Sequence, residues 1–190
     1  MSGDYLTNPL VFLISSVIGL YIVVLMVRVL LQATGADFRN PVSRVVINAT
    51  RLPLQGLRPF FPTVKDLNLA AIVLMLVLQM SVGFIKAGLA SGSQLMDQPW
   101  PLFIWALVEL LDGFINIFIF SIFVVVILSW INPSSHNPAI SLLYKISDII
   151  LKPLQRAVPP FGAFDLTPIV ALFGLQVLKM LLFPPLYALM

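Results

Sequence analysis

The chain has 190 residues, 59% apolar and only 10% charged, with a mean hydropathy of +1.02. An ordinary soluble domain carries about 25% charged residues, so this balance excludes a soluble globule and a disordered segment alike. It leaves a helical membrane protein with room for about four to six spans. The absence of cysteine and the lone His136 exclude a disulfide frame, a thiolate metal site, an iron–sulfur cluster and bis-histidine haem. No cofactor and no metal are expected. The formal net charge of +3 reads as membrane topology. The basic loops lack the interleaved aromatics of a nucleic-acid platform, so no nucleic-acid partner is expected.

The first apolar stretch, Tyr5 to Val27, follows Asp4 and predicts a span over about residues 5–30. No Lys or Arg precedes it and no small-residue cleavage site closes it, so a retained helix is expected. Asn40-Pro41 then opens an amphipathic helix over about 41–52, Asn capping and Pro in the first turn. Its apolar face holds Val42, Val45, Val46, Ala49 and Leu52, with Arg44, Asn48 and Arg51 opposite. A second span is expected over about 67–89. Trp100 to Val108 is apolar but short, and reads as a lead-in or tilted extension of a third span over about 103–131. That span ends beside Trp130, an interface anchor. Asn137-Pro138 opens a second amphipathic helix over about 138–152. Ala139, Leu142, Leu143, Ile146 and Ile150 form its apolar face; Lys145, Asp148 and Lys152 project the other way. A fourth span follows over about 167–186, interrupted by Lys179 before Pro184 and Pro185. Helices of the amphipathic kind lie in the membrane interface or pack across the end of a bundle, and both placements stay open.

The few charges set the orientation. Arg39, Arg44, Arg51, Arg58 and Lys65 lie between the first two spans, and Lys145, Lys152 and Arg156 between the last two. The segment from Ala87 to Leu102 has no Lys or Arg, nor do the first and last eight residues. This places both basic segments in the cytoplasm and both termini outside. The segments also repeat. The offset between Asn40-Pro41 and Asn137-Pro138 pairs Leu57 with Leu154 and Pro62 with Pro159. A two-residue insertion then aligns Asp66-Leu67-Asn68 with Asp165-Leu166-Thr167. The expected fold is therefore all-α. It has four transmembrane helices as two parallel tandem repeats, residues 1–90 and 91–190, each with one cytoplasmic interfacial helix.

Two copies of span, Asn-Pro, amphipathic helix, basic Pro-rich turn and span resemble the YggT family of bacterial inner-membrane proteins. The second half carries the resemblance most specifically. The family pattern Asp-Pro-Leu-Leu-Arg-Pro-Ile-Arg-Arg-x-x-Pro, then Gly-x-x-Asp-hydroxyl-Pro, is met by Asp148 through Pro159 and by Gly162 through Pro168. Ile149 replaces the pattern's Pro, and Lys152 and Gln155 replace two of its arginines. In the first half Arg58 and Pro62 match, while the Gly-x-x-Asp portion shrinks to Val64-Lys65-Asp66. The resemblance implies a multi-pass inner-membrane protein without an enzymatic reaction. It also implies links to osmotic stress, ion uptake and cell-division surroundings, and, for chloroplast relatives, to b-type cytochrome assembly and nucleoid distribution. The expected function is a membrane adaptor or assembly factor. The alternative is a small ion-permeation or osmotic-stress protein.

Three groups of candidate residues follow. Arg44, Arg51, Arg58, Lys145, Lys152 and Arg156 are candidates for binding anionic lipid or acidic segments of membrane, division or assembly proteins. Asp66 and Asn68, with Asp165, Thr167 and Pro168, form matching helix starts, Thr167 as cap and the acids complementing the dipole or meeting Arg58 or Arg156. Gln79, Lys86, Glu109, Asp112, Asn116, Gln176 and Lys179 are polar groups inside spans. Glu109, Asp112 and Asn116 share one helix face, and Lys86 or Lys179 is expected to pair with an acid there. This seam is either structural pairing or an ion route. Ser15 with Gly19, and Gly83 with Ala87, suit close helix packing within the chain or in a homo-oligomer. Ser134-Ser135-His136 offers a hydroxyl and a base without an orienting acid, so no catalytic residue is expected.

Overall fold

A computed structural model of the chain describes residues 4–37, 39–61, 63–64, 67–89, 98–131, 137–157 and 165–190. The elements in order are α1 (Asp4–Ala33), α2 (Pro41–Leu57), β1 (Thr63–Val64), β2 (Leu67–Asn68), α3 (Leu69–Leu89), α4 (Pro99–Ile131), α5 (Pro138–Ala157) and α6 (Thr167–Tyr187). β1 and β2 are a two-residue antiparallel pairing with Thr63 opposite Asn68. Among the described residues, four helices are long and apolar enough to cross a membrane, over Pro9–Ala33, Leu69–Ala87, Pro99–Ile131 and Thr167–Tyr187. Their outward faces carry Phe12, Val17 and Leu20 on α1, Phe84 on α3, Phe120 and Trp130 on α4, and Phe173, Met180 and Leu181 on α6, all exposed. An apolar outer surface of this extent suits acyl chains and not water.

The packing has the same plan in each half. α1 carries α2 and α3, α4 carries α5 and α6, and α3 packs on α4 to join the halves. Ile22, Leu25 and Met26 of α1 meet Leu54 of α2 and Ala70, Ala71 and Met75 of α3. Ile115 and Ile122 of α4 meet Leu151 of α5 and Ala171 and Leu175 of α6. Lipid tails are as apolar as these side chains, so close van der Waals fit holds the spans together. Gly83 permits the α3–α4 approach: a Cβ there would lie 2.5 Å from Leu102 Cδ1 and 2.7 Å from Trp105 Cζ3. Gly19, the other glycine with small-residue spacing, has nothing within 4 Å of that position.

Both shorter helices begin as the sequence expects. Asn40 Oδ1 accepts the Val42 N–H at 2.9 Å, and Asn137 Oδ1 accepts the Ala139 N–H at 2.9 Å. The two starts also touch, because Asn40 Nδ2 donates to the Pro138 carbonyl at 2.8 Å. The ends differ from expectation. α2 continues through Pro53 to Leu57 and α5 through Pro153 to Ala157. A proline removes one intrahelical bond and frees the carbonyl four residues earlier. For Pro53 that carbonyl is Ala49, and the Tyr21 hydroxyl of α1 donates to it at 3.4 Å. The lead-in at Trp100 is likewise part of α4, which starts at Pro99 instead of near residue 103. Pro99 and Pro101 fall in the first turn, where an N–H has no partner to lose. Trp100 Nε1 donates to the Leu189 carbonyl at 3.1 Å and ties this end to the C-terminal residues.

Candidate functional site

α2 has three sides. Ser43, Val46, Thr50 and Leu54 are buried. Of the apolar residues expected on one face, only Val46 belongs to that buried row; Val42, Val45, Ala49 and Leu52 are exposed. Arg44, Asn48 and Arg51 form a third, exposed polar side. The helix therefore docks by a row of mostly small and hydroxylated residues. Its apolar edge, with Leu52 79% exposed, remains uncovered by the protein. α5 behaves differently. Leu142 and Ile146 are buried, and Ala139, Leu143 and Ile150 are half-buried, so its apolar face packs on the bundle. Lys152 is exposed and pairs with Asp148 at 2.8 Å, and Arg156 is exposed. Lys145 is half-buried and reaches the Gly35 carbonyl at 3.4 Å.

A buried arginine of α1 also lies at this end. Arg28 is 8% exposed, and its Nη1 donates to the Ile47 carbonyl at 3.1 Å and to Thr50 Oγ1. Arg58 lines the same cleft between α1 and α2, of about 170 Å³. No local sequence signal announces the clamp, because its two halves lie on different helices.

At the start of α6, Thr167 is the first helical residue and not the cap. Its backbone N–H is accepted by Asp165 Oδ1 at 2.8 Å, while Asp165 Oδ2 accepts from Gln155 Nε2 at 3.2 Å. Asp165 thus meets Gln155 of α5 and not Arg156. The bonds from Thr167, and then that from Gln155, hold its carboxyl below the usual aspartate range. Pro168 follows within the first turn. Asp165, Gln155, Asp148, Tyr144 and Trp130 line one cleft of about 620 Å³ among α4, α5 and α6. In the first half Asn68 is buried and its Oδ1 accepts the Ala71 N–H at 3.3 Å. Asp66 and Ser134-Ser135-His136 lie outside the described residues.

The polar groups in the spans are brought together in part. Lys179 Nζ of α6 lies 2.6 Å from Asp112 Oδ1 of α4 and donates to Asn116 Oδ1 at 2.9 Å. Asn116 Nδ2 closes the triangle on Asp112 Oδ2 at 2.7 Å. Lys86 instead stands 5.5 Å above the Trp105 ring, a cation–π distance. Glu109 is half-buried and forms no ion pair among the described residues. Gln79 is half-buried on α3 and Gln176 exposed on α6. No group of three or more His, Cys, Asp or Glu residues is placed to hold a metal among the described residues.

The fold and these sites define a polytopic α-helical membrane protein with two shorter helices joined at one end. The sequence pattern of the CCB3/YggT family matches it twice, over residues 7–89 and 104–186. The chain belongs to the CCB3/YggT family. It is similar to an uncharacterized Pseudomonas aeruginosa protein, 31% identical over 179 residues, spanning 93% of this chain and 89% of that one. An uncharacterized Vibrio alginolyticus protein is 30% identical over 169 residues, 89% of this chain and 90% of the other. The uncharacterized protein YggT of Escherichia coli K12 is 30% identical over 174 residues, 91% of this chain and 88% of its own length. No solved structure matches significantly.

Proposed function

We propose that this protein is a non-enzymatic membrane adaptor or assembly factor of the bacterial inner membrane, working through a cytoplasmic face built from α2 and α5. The observation that carries this reading is the three-sided form of α2. Its docking row leaves an apolar edge (Val45, Leu52) beside a basic edge (Arg44, Arg51), both open. That pair of edges suits an interfacial helix with its apolar edge among acyl chains and its cations toward anionic headgroups. The repeated N-caps and shared packing plan support two parallel repeats, each presenting one such helix. Basic loop segments on that side support termini outside the cytoplasm. Acidic segments of division or assembly proteins, or a second copy of the chain, are the partners this face suits.

The test is crosslinking in native membranes read by mass spectrometry, with Arg44, Arg51, Lys152 and Arg156 changed together to Gln. Loss of specific crosslinks with unchanged protein abundance supports the adaptor. An unchanged crosslink set sinks it. The competing reading, ion permeation connected with osmotic stress, draws on the Asp112–Asn116–Lys179 triangle inside the spans. It requires ion flux in proteoliposomes that Asp112→Ala alters.

A further inference from the structure

Arg28 lies about one and a half turns before the end of α1, far more buried than an arginine ordinarily is. The Thr50 hydroxyl donates to the Val46 carbonyl at 2.6 Å, which orients its free lone pair to accept from Arg28. This clamp employs Nη1 alone, out of a guanidinium that carries five N–H donors. Nε and Nη2 have no protein acceptor among the described residues. The cleft they share with Gln32 and Arg58 is otherwise apolar, walled by Leu31, Val46 and Ile47. Two cations and an amide therefore line about 170 Å³ in which no described lining residue is a carboxylate. Like charges side by side next to hydrocarbon are costly unless an anion joins them. A cleft of this volume accommodates a phosphate group between the two guanidiniums.

We propose that this cleft binds a phosphate-bearing anion, held between Arg28 and Arg58 with Gln32 as a further donor. Guanidinium groups match phosphate oxygens with paired N–H bonds, and the Thr50 clamp fixes Arg28 beforehand, which lowers the ordering cost of binding. The anion is either the headgroup phosphate of a lipid or a soluble phosphate. The lipid source rests on the membrane-surface reading above, and the soluble source does not.

The experiment measures thermal unfolding of the full-length protein in two arms. One compares nanodiscs of phosphatidylcholine alone with nanodiscs that also contain phosphatidylglycerol. The other adds inorganic phosphate to detergent-solubilised protein at matched ionic strength. A ligand that binds only the folded state raises the melting temperature. A rise in the first arm alone identifies the lipid; a rise in the second identifies the soluble anion. Arg58→Gln, an exposed change that leaves the fold intact, weakens the apparent affinity about tenfold, the loss of one charge-assisted bond. Arg39→Gln, at an exposed basic residue outside this cleft, keeps the wild-type response. No rise in either arm overturns the proposal, and so does a rise that Arg58→Gln leaves unchanged. The adaptor reading has its own readout, the crosslink set, so either can fail alone.

Discussion

Three residues are fixed by contacts that leave little freedom for substitution. Gly35 has φ +58°, with its N–H bonded to the Gln32 carbonyl at 3.2 Å and the Ala36 N–H to that of Leu31 at 2.9 Å. This paired closure of α1 needs the left-handed backbone that glycine adopts without strain. Gly35→Ala should therefore lower stability by about 1 kcal/mol, read from chemical denaturation in micelles. Gly83 is constrained by space. Its Cβ would meet the buried Trp105 ring and Leu102, so Gly83→Ala should cost about 1–3 kcal/mol through overpacking. Gly19→Ala, with open space around it, should leave stability unchanged or raise it. Equal losses at the two positions would remove the close α3–α4 approach as the cause. Asp165 is constrained by hydrogen bonding. Its folded pKa is held down, so its contribution is present at neutral pH, above the unfolded value, and is lost as pH falls through the folded value. Asp165→Asn should flatten that acid limb of the stability profile, measured by denaturation as a function of pH.

The helices divide into features that local sequence carries and features that need a second helix. The Asn-Pro starts of α2 and α5 are legible because cap and first turn lie within three residues. Their ends are not, and in α2 the reason is that α1 supplies the Tyr21 hydroxyl to the Ala49 carbonyl that Pro53 leaves free. The docking side of α2 escapes an apolar-periodicity reading because Ser43 and Thr50 form half of it. Arg28 escapes for a similar reason: its acceptors are on α2, and its buried position is set by that packing. The Asp112–Lys179 pair is intermediate. Sequence placed an acid face on α4 and a lysine on α6, and only the packing of the two helices selects Asp112 over Glu109. That pair ties α4 to α6 inside apolar surroundings. Lys179→Met alone should cost about 3 kcal/mol, because Asp112 then loses its cation and keeps only Asn116 as partner. Asp112→Leu combined with Lys179→Met should recover most of the loss, since no unpaired charge remains. A double-mutant cycle in detergent measures the difference; strictly additive single losses would mean that the two side chains do not interact.

At the scale of the whole molecule, orientation and repeat sense come from the same charges and can be tested together. α4 has 33 residues, about 50 Å of helix against a hydrocarbon core of about 30 Å. It therefore tilts or extends beyond the membrane, so helix length alone does not identify the sides. Charge distribution supplies the expectation. The chain has no cysteine, so single replacements at exposed positions report on topology without any background thiol. Arg51 on α2, Lys152 on α5 and Gln98 before α4 are all exposed. A membrane-impermeant maleimide applied to intact spheroplasts should label Gln98→Cys and spare both Arg51→Cys and Lys152→Cys. Permeabilised membranes should label all three. Labelling of Arg51→Cys and Lys152→Cys but not Gln98→Cys in intact spheroplasts would reverse the orientation and put the basic ends of α2 and α5 outside. Labelling of only one of those two would be the stronger result. It would make the halves inverted instead of parallel, and the contact between the starts of α2 and α5, where Asn40 reaches Pro138, would then have to be broken across the bilayer. Because that contact joins the two helices at one end of the bundle, Arg51→Cys and Lys152→Cys should respond together under every condition that leaves the protein folded.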